Sequence, residues 1–175
     1  MSFGLLLVRV SLGVLLFGHG TQKLFGWFGG SGIVATEGSF RRMGYRQPGL
    51  AAPAAGLTES GAGTLLVFGL VTPLAAAAVI GVMTNAAAAH AAKGLWNSKG
   101  GFELPLFYAV TAAALAFAGP GSISVDHLVG LDAPGVLWGL AAVALGVISG
   151  FAVLTTRHPH AEPRTEDGPQ RRAAA

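Results

Sequence analysis

Residues 134–154 are apolar or small throughout and contain no charged side chain. A run of this length matches the roughly 20 residues that an α-helix needs to cross the hydrocarbon core of a bilayer. Because a backbone in lipid must satisfy its hydrogen bonds internally, a helix is the structure that such a run can adopt there. The run therefore predicts a transmembrane helix, and it sets the class of fold expected for the rest of the chain.

Four further apolar runs precede it, at residues 3–23, 51–70, 73–92 and 102–118. The second and third are separated by a short stretch in which Thr72 can cap a new helix and Pro73 suits its first position. This pattern predicts a tight hairpin of two spans, and the alternative is one central span with irregular flanks. The sequence thus predicts an all-α, polytopic transmembrane bundle, with a four-helix core and a fifth C-terminal helix.

Composition supports a membrane protein and excludes several kinds of chemistry. Apolar residues make up 52% of the chain and charged residues 11%, against about 25% charged in a typical soluble domain. Cysteine is absent, which excludes disulfides, thiolate nucleophiles and iron–sulfur ligation. Although the pI is about 9.8, the basic residues lie at the ends of apolar runs, so nucleic-acid binding is not expected.

Apart from Arg9, the basic residues all lie at the edges of the runs or between them, and all in alternate connections. They are Lys23, Arg41, Arg42, Arg46, Lys93, Lys99, Arg157, Arg164, Arg171 and Arg172. The connections between the second and third runs and between the fourth and fifth runs contain none. Because positive charge is retained on the cytoplasmic side, five spans are predicted with the N-terminus outside and the C-terminus in the cytoplasm.

Residues 24–49 are rich in glycine and aromatic side chains, and they include a basic loop at Arg41, Arg42 and Arg46. Aromatic side chains favour the headgroup region of a bilayer. This segment is therefore predicted to be an irregular interfacial loop on the cytoplasmic side.

Arg9 and Glu59 are charged residues inside predicted spans, where each costs about 2.5–3.5 kcal/mol to insert. Their predicted depths differ by roughly 7 Å, a distance that an arginine side chain can bridge. The two are predicted to form a buried ion pair. This pair has either a functional role or only the structural role of orienting the helices.

Several polar side chains are predicted to gather near the cytoplasmic ends of the spans. They are His19, Lys23, Asn85, His90, Trp96 and Glu103. Together they could form one pocket with hydrogen-bond donors for a carbonyl group and a proton path, as a quinone headgroup requires. The alternative is that they are membrane-edge residues whose polar ends reach the headgroups. No closely spaced pair of metal ligands occurs in the spans, so no metal site is predicted.

Four segments resemble a known family of membrane proteins. Arg9-Val-Ser-Leu-Gly-Val-Leu-Leu-Phe-Gly-His-Gly-Thr-Gln-Lys-Leu-Phe-Gly resembles the first helix of DoxX family proteins. Gly56-Leu-Thr-Glu-Ser-Gly-Ala-Gly, followed by Phe68-Gly-Leu-Val-Thr-Pro-Leu, resembles the second helix and hairpin. Gly101-Phe-Glu-Leu-Pro-Leu-Phe-Tyr and Gly119-Pro-Gly-Ser-Ile-Ser-Val-Asp resemble the final helix and its end. The resemblance covers about residues 3–126.

The resemblance implies a four-helix core in a bacterial cytoplasmic membrane. The family is named after a subunit of a thiosulfate:quinone oxidoreductase, and some relatives are linked to oxidant-defence assemblies or to quinone stress. The polar positions that look similar to the family's are Arg9, His19, Lys23, Glu59, His90, Glu103 and Asp126. This chain departs from the family pattern at Ser122, where a basic residue is common, and in its fifth span and tail.

These observations predict three regions: a DoxX-like core at residues 1–126, a loop and additional helix at 127–154, and a disordered cytoplasmic tail at 155–175. The predicted function is an integral membrane subunit of a quinone-linked redox or thiol-oxidative-stress defence system. Such a subunit is not expected to be catalytic alone; within an assembly it would be an oxidoreductase subunit, with a quinone as its ligand.

Two other functions stay open. One is a membrane scaffold that recruits soluble redox enzymes through the basic loop. The other is a small-solute carrier, against which the lack of an internal repeat argues. The Ala- and Gly-rich helix surfaces would serve a homo-oligomer as well as they serve packing within one chain.

Overall fold

The computed structural model describes residues 2–158, and the regular structure in this range is helical. The α-helices of this part of the chain are α1 (Ser2–Phe25), α2 (Gly32–Arg42), α3 (Pro48–Phe68), α4 (Thr72–His90), α5 (Glu103–Ala118), α6 (Val125–Leu128) and α7 (Val136–Leu154). The prediction of an all-α helical bundle is confirmed. Of the predicted tail at residues 155–175, residues 155–158 lie within this range, and residues 159–175 lie outside the described residues.

The predicted hairpin between α3 and α4 is present. Gly69 ends α3 in the left-handed conformation with φ of 64°, which glycine adopts without steric cost. Thr72 and Pro73 then open α4, and proline is suited to this first turn because its missing N–H would have no partner in the helix there.

Small residues bring α1 and α3 into close contact along their length. Gly13 of α1 faces Gly63 of α3, and a Cβ atom added to Gly13 would lie 2.6 Å from the Gly63 carbonyl oxygen. One helical turn or two further along α1, Gly20 faces Gly56 and Ser60 of α3 in the same way. The backbones can approach this closely because glycine has no side chain, and dispersion contacts then hold the helices together.

Helix α4 is the centre of the bundle, since α3, α5 and α7 all pack against it. Its buried face is built from alanines and from Val79, Ile80 and Met83. Leu16 of α1 and Leu115 of α5 complete the same apolar core.

The outside of the bundle is also apolar. Exposed side chains such as Leu7, Phe107 and Leu137 project from α1, α5 and α7. Among the described residues, three helices are long and apolar enough to cross a membrane: Phe3–Phe25, Thr72–Lys93 and Val136–Leu154. Helix α5 is apolar but shorter. A bundle that is apolar on both its inner and outer faces suits a lipid environment.

The segment predicted as an irregular loop at residues 24–49 contains a helix, α2, so that prediction is wrong in its centre. The side chain of Thr36 explains part of the order, because its hydroxyl donates to the carbonyls of Gly32 at 2.7 Å and of Lys23 at 3.2 Å. Arg41 and Arg42 lie in the last turn of α2, where positive charge favours the helix dipole.

Two ends of the bundle can be distinguished by charge. The basic end holds α2, residues 43–47, the end of α4, the start of α5 and residues 155–158. The opposite end holds the α3–α4 hairpin and residues 119–135.

Candidate functional site

A cleft of about 900 Å³ opens near the basic end, between α3, α4 and α7. Its surface is mostly apolar, and several of its lining residues are small. The alanines that line it are Ala51, Ala54 and Ala55 of α3 and Ala78, Ala86 and Ala89 of α4. Helix α7 contributes Ser149, Gly150 and Val153. Because these side chains are short, they leave space between helices that would otherwise be filled.

The cleft runs parallel to the helices. Along α4 its lining extends from Ala78 to His90, a rise of about 18 Å at 1.5 Å per residue. Both α3 and α7 pack on α4, but they are not among the helix pairs in substantial contact with each other. Helix α4 is therefore the floor of the cleft, and α3 and α7 are its walls.

An ion pair lies at the inner part of the cleft. Lys23 Nζ donates to Glu59 Oε2 at 2.6 Å, and the Glu59 side chain is only 3% exposed, against 30% for Lys23. A charge-assisted hydrogen bond of this length is among the stronger contacts in proteins. It holds a carboxylate and an ammonium group on the lining of a largely apolar cavity.

The predicted ion pair between Arg9 and Glu59 is not formed. Arg9 Nη1 donates to the Pro120 carbonyl at 2.6 Å and Nη2 to the Ile123 carbonyl at 2.7 Å, at the opposite end of the bundle. The carboxylate that acts electrostatically on Arg9 is Asp126.

The register of α1 against α3 explains this correction. Since Gly13 lies against Gly63 and Gly20 against Gly56, Glu59 is level with Phe17 of α1. Eight residues of α1 then separate Arg9 from this level, which is about 12 Å along the axis rather than the expected 7 Å. Lys23 is about 9 Å from the same level on the other side, and its side chain reaches Glu59 in the place predicted for Arg9.

Asn85 connects α4, the floor of the cleft, to α7 and to Tyr45. Its Nδ2 donates to the carbonyls of Gly81 at 3.1 Å and of Gly150 at 3.0 Å, so it joins α4 to α7. Its Oδ1 accepts a hydrogen bond from the Tyr45 hydroxyl at 3.1 Å. Burial raises the pKa of Tyr45, and the nearby Arg157 opposes this rise.

Residues 43–46 and 156–158 form a strap across the top of the cleft. Tyr45 and Arg157 form an antiparallel bridge, and Arg157 Nε donates to the Met43 carbonyl at 2.9 Å. The backbone N–H of His158 donates to the Gly44 carbonyl at 2.8 Å, and the Arg157 guanidinium lies 5.3 Å from the centre of the Tyr45 ring. The strap joins the start of α3 to the end of α7.

Only some of the six residues predicted to share a pocket lie in this cleft. Lys23, Asn85 and His90 line it, and His90 Nδ1 also lies 2.8 Å from the Gly100 carbonyl oxygen. The remaining three are outside its lining. Trp96 is 60% exposed, and Glu103 accepts a hydrogen bond from the Asn97 N–H at 2.8 Å.

His19, the third of these, contacts α5 instead. Its Nε2 lies 3.4 Å from the Tyr108 hydroxyl and its Nδ1 lies 3.2 Å from Gln22 Oε1. Lys23 is four residues after His19, which places the two side chains about 40° apart around α1. From these positions Lys23 reaches Glu59 of α3, and His19 reaches Tyr108 of α5.

Sequence reasoning missed two tyrosines near these groups. Tyr45 was assigned only to an interfacial loop, although its hydroxyl reaches Asn85. Tyr108 is 8% exposed within an apolar helix, and a phenol in such a position usually has a hydrogen-bond partner. That rule is the signal by which Tyr108 could have been found.

The arrangement offers hydrogen-bond donors and proton-exchanging groups at several depths of one apolar cavity. Its outer part has His90 and Arg46, its middle Tyr45 and Asn85, and its inner part the Lys23–Glu59 pair. Within residues 2–158, no group of three or more histidine, aspartate or glutamate side chains is placed to hold a metal ion. A neutral organic ligand with oxygen acceptors matches these groups better than a metal does.

Comparison with known proteins supports the resemblance seen in the sequence. The DoxX family model matches residues 4–92, which is 89 of the 175 residues. Searches of curated proteins and of solved structures find no match. The matched region runs from α1 through α4 and includes Lys23, Glu59, Asn85 and His90 of the cleft. With three helices long and apolar enough to cross a bilayer, the chain is a membrane protein that belongs to the DoxX family.

Proposed function

We propose that this DoxX-family protein is an integral membrane subunit of a quinone-linked redox or thiol-oxidative-stress defence system, and that its cleft binds the quinone headgroup. The observation that supports this most is the Lys23–Glu59 pair, which lies on the lining of a cleft whose surface is mostly apolar. Binding sites for small organic ligands are mostly apolar with a few converging polar groups, and this cleft has that character.

The polar groups suit the chemistry of a quinone. Lys23 Nζ has two N–H groups that Glu59 does not use, and these can donate hydrogen bonds to a carbonyl oxygen of the ring. His90 Nδ1 donates to the Gly100 carbonyl, so its neutral imidazole offers Nε2 as an acceptor for a quinol hydroxyl. The alanines contact the flat ring. Reduction to a quinol adds electrons and protons in equal number. Lys23 and His90 are groups that exchange protons, and the electrons would come from a soluble redox enzyme, because the chain has no cysteine. The protein would therefore act with a partner rather than alone.

The same proposal includes an orientation in the bacterial cytoplasmic membrane. In this orientation α3 and α5 cross the membrane beside α1, α4 and α7, which gives five spans. The N-terminus then lies outside, and the basic end faces the cytoplasm. Lys23, Arg41, Arg42, Arg46 and the Lys93–Lys99 region support this orientation, since all belong to one end of the bundle.

The test is quinone binding by the purified full chain in nanodiscs. We expect saturable binding that weakens at least about 10-fold in His90→Ala, because a lost polar contact in a dry site is worth about 1–3 kcal/mol. His19→Ala is the matched control, since His19 lies outside the cleft lining. No saturable binding to the intact protein would overturn the proposal, and equal binding by all variants would remove the cleft as the site.

A second function, a scaffold for soluble redox enzymes, is favoured by the exposure of Arg41, Arg42 and Arg46 at the basic end. Interfaces of this kind depend on complementary charge. Replacing all three arginines by glutamate should abolish capture of an acidic partner enzyme and leave quinone binding intact. Capture that survives the charge reversal would exclude this function.

A further inference from the structure

The cleft has an open side that faces away from the bundle. Its walls, α3 and α7, each pack on α4 without substantial contact with each other, so a gap runs between them. Leu50 and Ala54 of α3 and Val153 of α7 line the cleft at this gap and are also exposed at the surface. All three are apolar, which suits contact with acyl chains rather than with water.

The end of the cleft nearest the aqueous phase is crossed by the strap. The strap joins the start of α3 to the end of α7, and Tyr45 reaches inward from it to Asn85. Arg46, Thr155 and Thr156 line the cleft at this end and are exposed, but unlike the residues of the gap they are polar. A tailed ligand that came from water would have to pass these polar side chains and the Tyr45–Asn85 contact, whereas one that came from the bilayer would meet an apolar gap.

We infer that the ligand enters the cleft sideways from the bilayer through the gap between α3 and α7, and that its apolar tail stays in this gap when the headgroup is bound. This inference rests on the proposed function, and it names the quinones concerned as those with a long isoprenoid tail. Helix α7 is essential to it, because α7 forms one edge of the gap and lies outside the region matched by the family model.

The dimensions and polarity of the cleft fit a molecule with a polar headgroup and a long apolar tail. Its volume of about 900 Å³ is near the top of the range of roughly 300–1,000 Å³ for ligand sites, which exceeds what one substituted ring requires. Lys23, Glu59 and His90 supply polar groups away from the gap, whereas Leu50, Ala54 and Val153 at the gap are apolar. Ser149 of α7 is polar, but its hydroxyl donates back to the Gly146 carbonyl. The ring would thus contact Lys23 or His90, and the tail would pass Ala54 and Val153.

The experiment compares two quinones that share one ring, a dimethoxy-methyl-benzoquinone, with and without an isoprenoid tail. Binding to the full chain in nanodiscs is measured at matched mole fractions in the bilayer, so that partitioning does not mimic affinity. Ala54→Trp places a large side chain at the border of the gap. Ala144→Trp is the matched control, because Ala144 is exposed on α7 and is not part of the cleft lining.

We expect Ala54→Trp to weaken binding of the tailed quinone at least about 10-fold, while Ala144→Trp leaves it unchanged and neither variant alters binding of the tailless ring. In the unmodified protein, a photoreactive group at the middle of the tail should label α3 or α7 next to Ala54 or Val153. This second measurement does not depend on the folding of a variant.

Two results would overturn the inference in distinguishable ways. If the tailed quinone binds, loses affinity in His90→Ala, and yet is unaffected by Ala54→Trp and labels other helices, the sideways route is wrong and the quinone site stands. If neither quinone binds saturably, the proposed function and the route both fail.

Discussion

The carboxylate of Asp126 caps the first turn of α4 through Thr72. Asp126 Oδ2 accepts hydrogen bonds from both the backbone N–H and the hydroxyl of Thr72, each at 2.9 Å, and Oδ1 accepts one from the Val71 N–H at 2.7 Å. A helix start needs acceptors for its free N–H groups, and here they come from a residue 54 positions later in the chain. Asp126 thereby ties α6 to the α3–α4 hairpin beside Arg9.

Removal of this cap should destabilise the bundle. We expect Asp126→Ala to lower the free energy of unfolding by about 2–4 kcal/mol, because it uncaps α4 and leaves Arg9 without its nearby carboxylate. Thr72→Val should cost only about 1 kcal/mol, since it removes one hydrogen bond of the group. Denaturant unfolding in detergent measures both, and equal stability of Asp126→Ala and the unmodified protein would contradict the role of the cap.

The Lys23–Glu59 pair should show strong energetic coupling. Lys23→Met alone leaves a carboxylate that is 3% exposed without its partner, which should cost much of the free energy of unfolding. The double variant Lys23→Met, Glu59→Leu should therefore lose less free energy of unfolding than the sum of the two single losses. A double-mutant cycle in detergent should give a coupling of about 1–3 kcal/mol.

The chain supplies an exposed pair as the control for this cycle. His127 Nδ1 lies 2.8 Å from Asp132 Oδ2, but the two side chains are 49% and 42% exposed. Solvent screening should limit coupling in that pair to less than about 1 kcal/mol. Similar coupling in the two cycles would show that burial does not strengthen the Lys23–Glu59 contact.

The contact between α1 and α3 should tolerate no added volume at Gly13. We expect Gly13→Ala to destabilise the protein by about 1–3 kcal/mol, because the new Cβ would lie 2.6 Å from the Gly63 carbonyl oxygen. Gly18→Ala is the control on the same helix, where nothing lies within 4 Å of the added atom. It should be neutral or stabilise α1 by up to about 1 kcal/mol. A matching loss in both variants would argue against the close approach.

The strap should weaken at high pH through Tyr45. Burial raises the pKa of Tyr45 above its ordinary value of 10.0, so the folded state favours the neutral phenol. Its contribution to stability is complete below pH 10 and is lost as pH rises through the folded pKa, since the unfolded chain ionises first. Unfolding temperatures between about pH 8 and 11 should therefore fall less steeply above pH 10 in Tyr45→Phe. Parallel curves for the two proteins would contradict this.

The long helices were predictable because each depends on a local property of the sequence. Apolar length and the Thr72-Pro73 start determine the ends of α3 and α4 to within about three residues. Helix α2 was missed because it is short and polar, and its order depends on contacts such as that of Thr36 with Lys23. Such contacts become visible only when the neighbouring helix is in place.

The sequence indicated which polar side chains lie at the depth of the cleft, but not the direction in which each side chain points. Lys23, Asn85 and His90 do line one cleft near the basic end, and depth along the helices was sufficient to group them. Whether a side chain at the right depth turns toward the cleft depends on helix rotation and register, which close packing between glycines sets. That is why His19 faces Tyr108 and why Arg9 does not reach Glu59. The roles of these residues and the three-region division of the chain stay predictions.

The strap has a consequence for the order in which the protein is made. Arg157 and Met43, which close it, are 114 residues apart in the chain. A ribosome has delivered α1 through α5 to the membrane well before α7 follows, so the nascent bundle has a groove with one wall. The cleft becomes complete only when α7 has inserted and the residues after it have paired with residues 43–46, which are synthesised much earlier. Ligand binding would thus be a property that a growing chain acquires late.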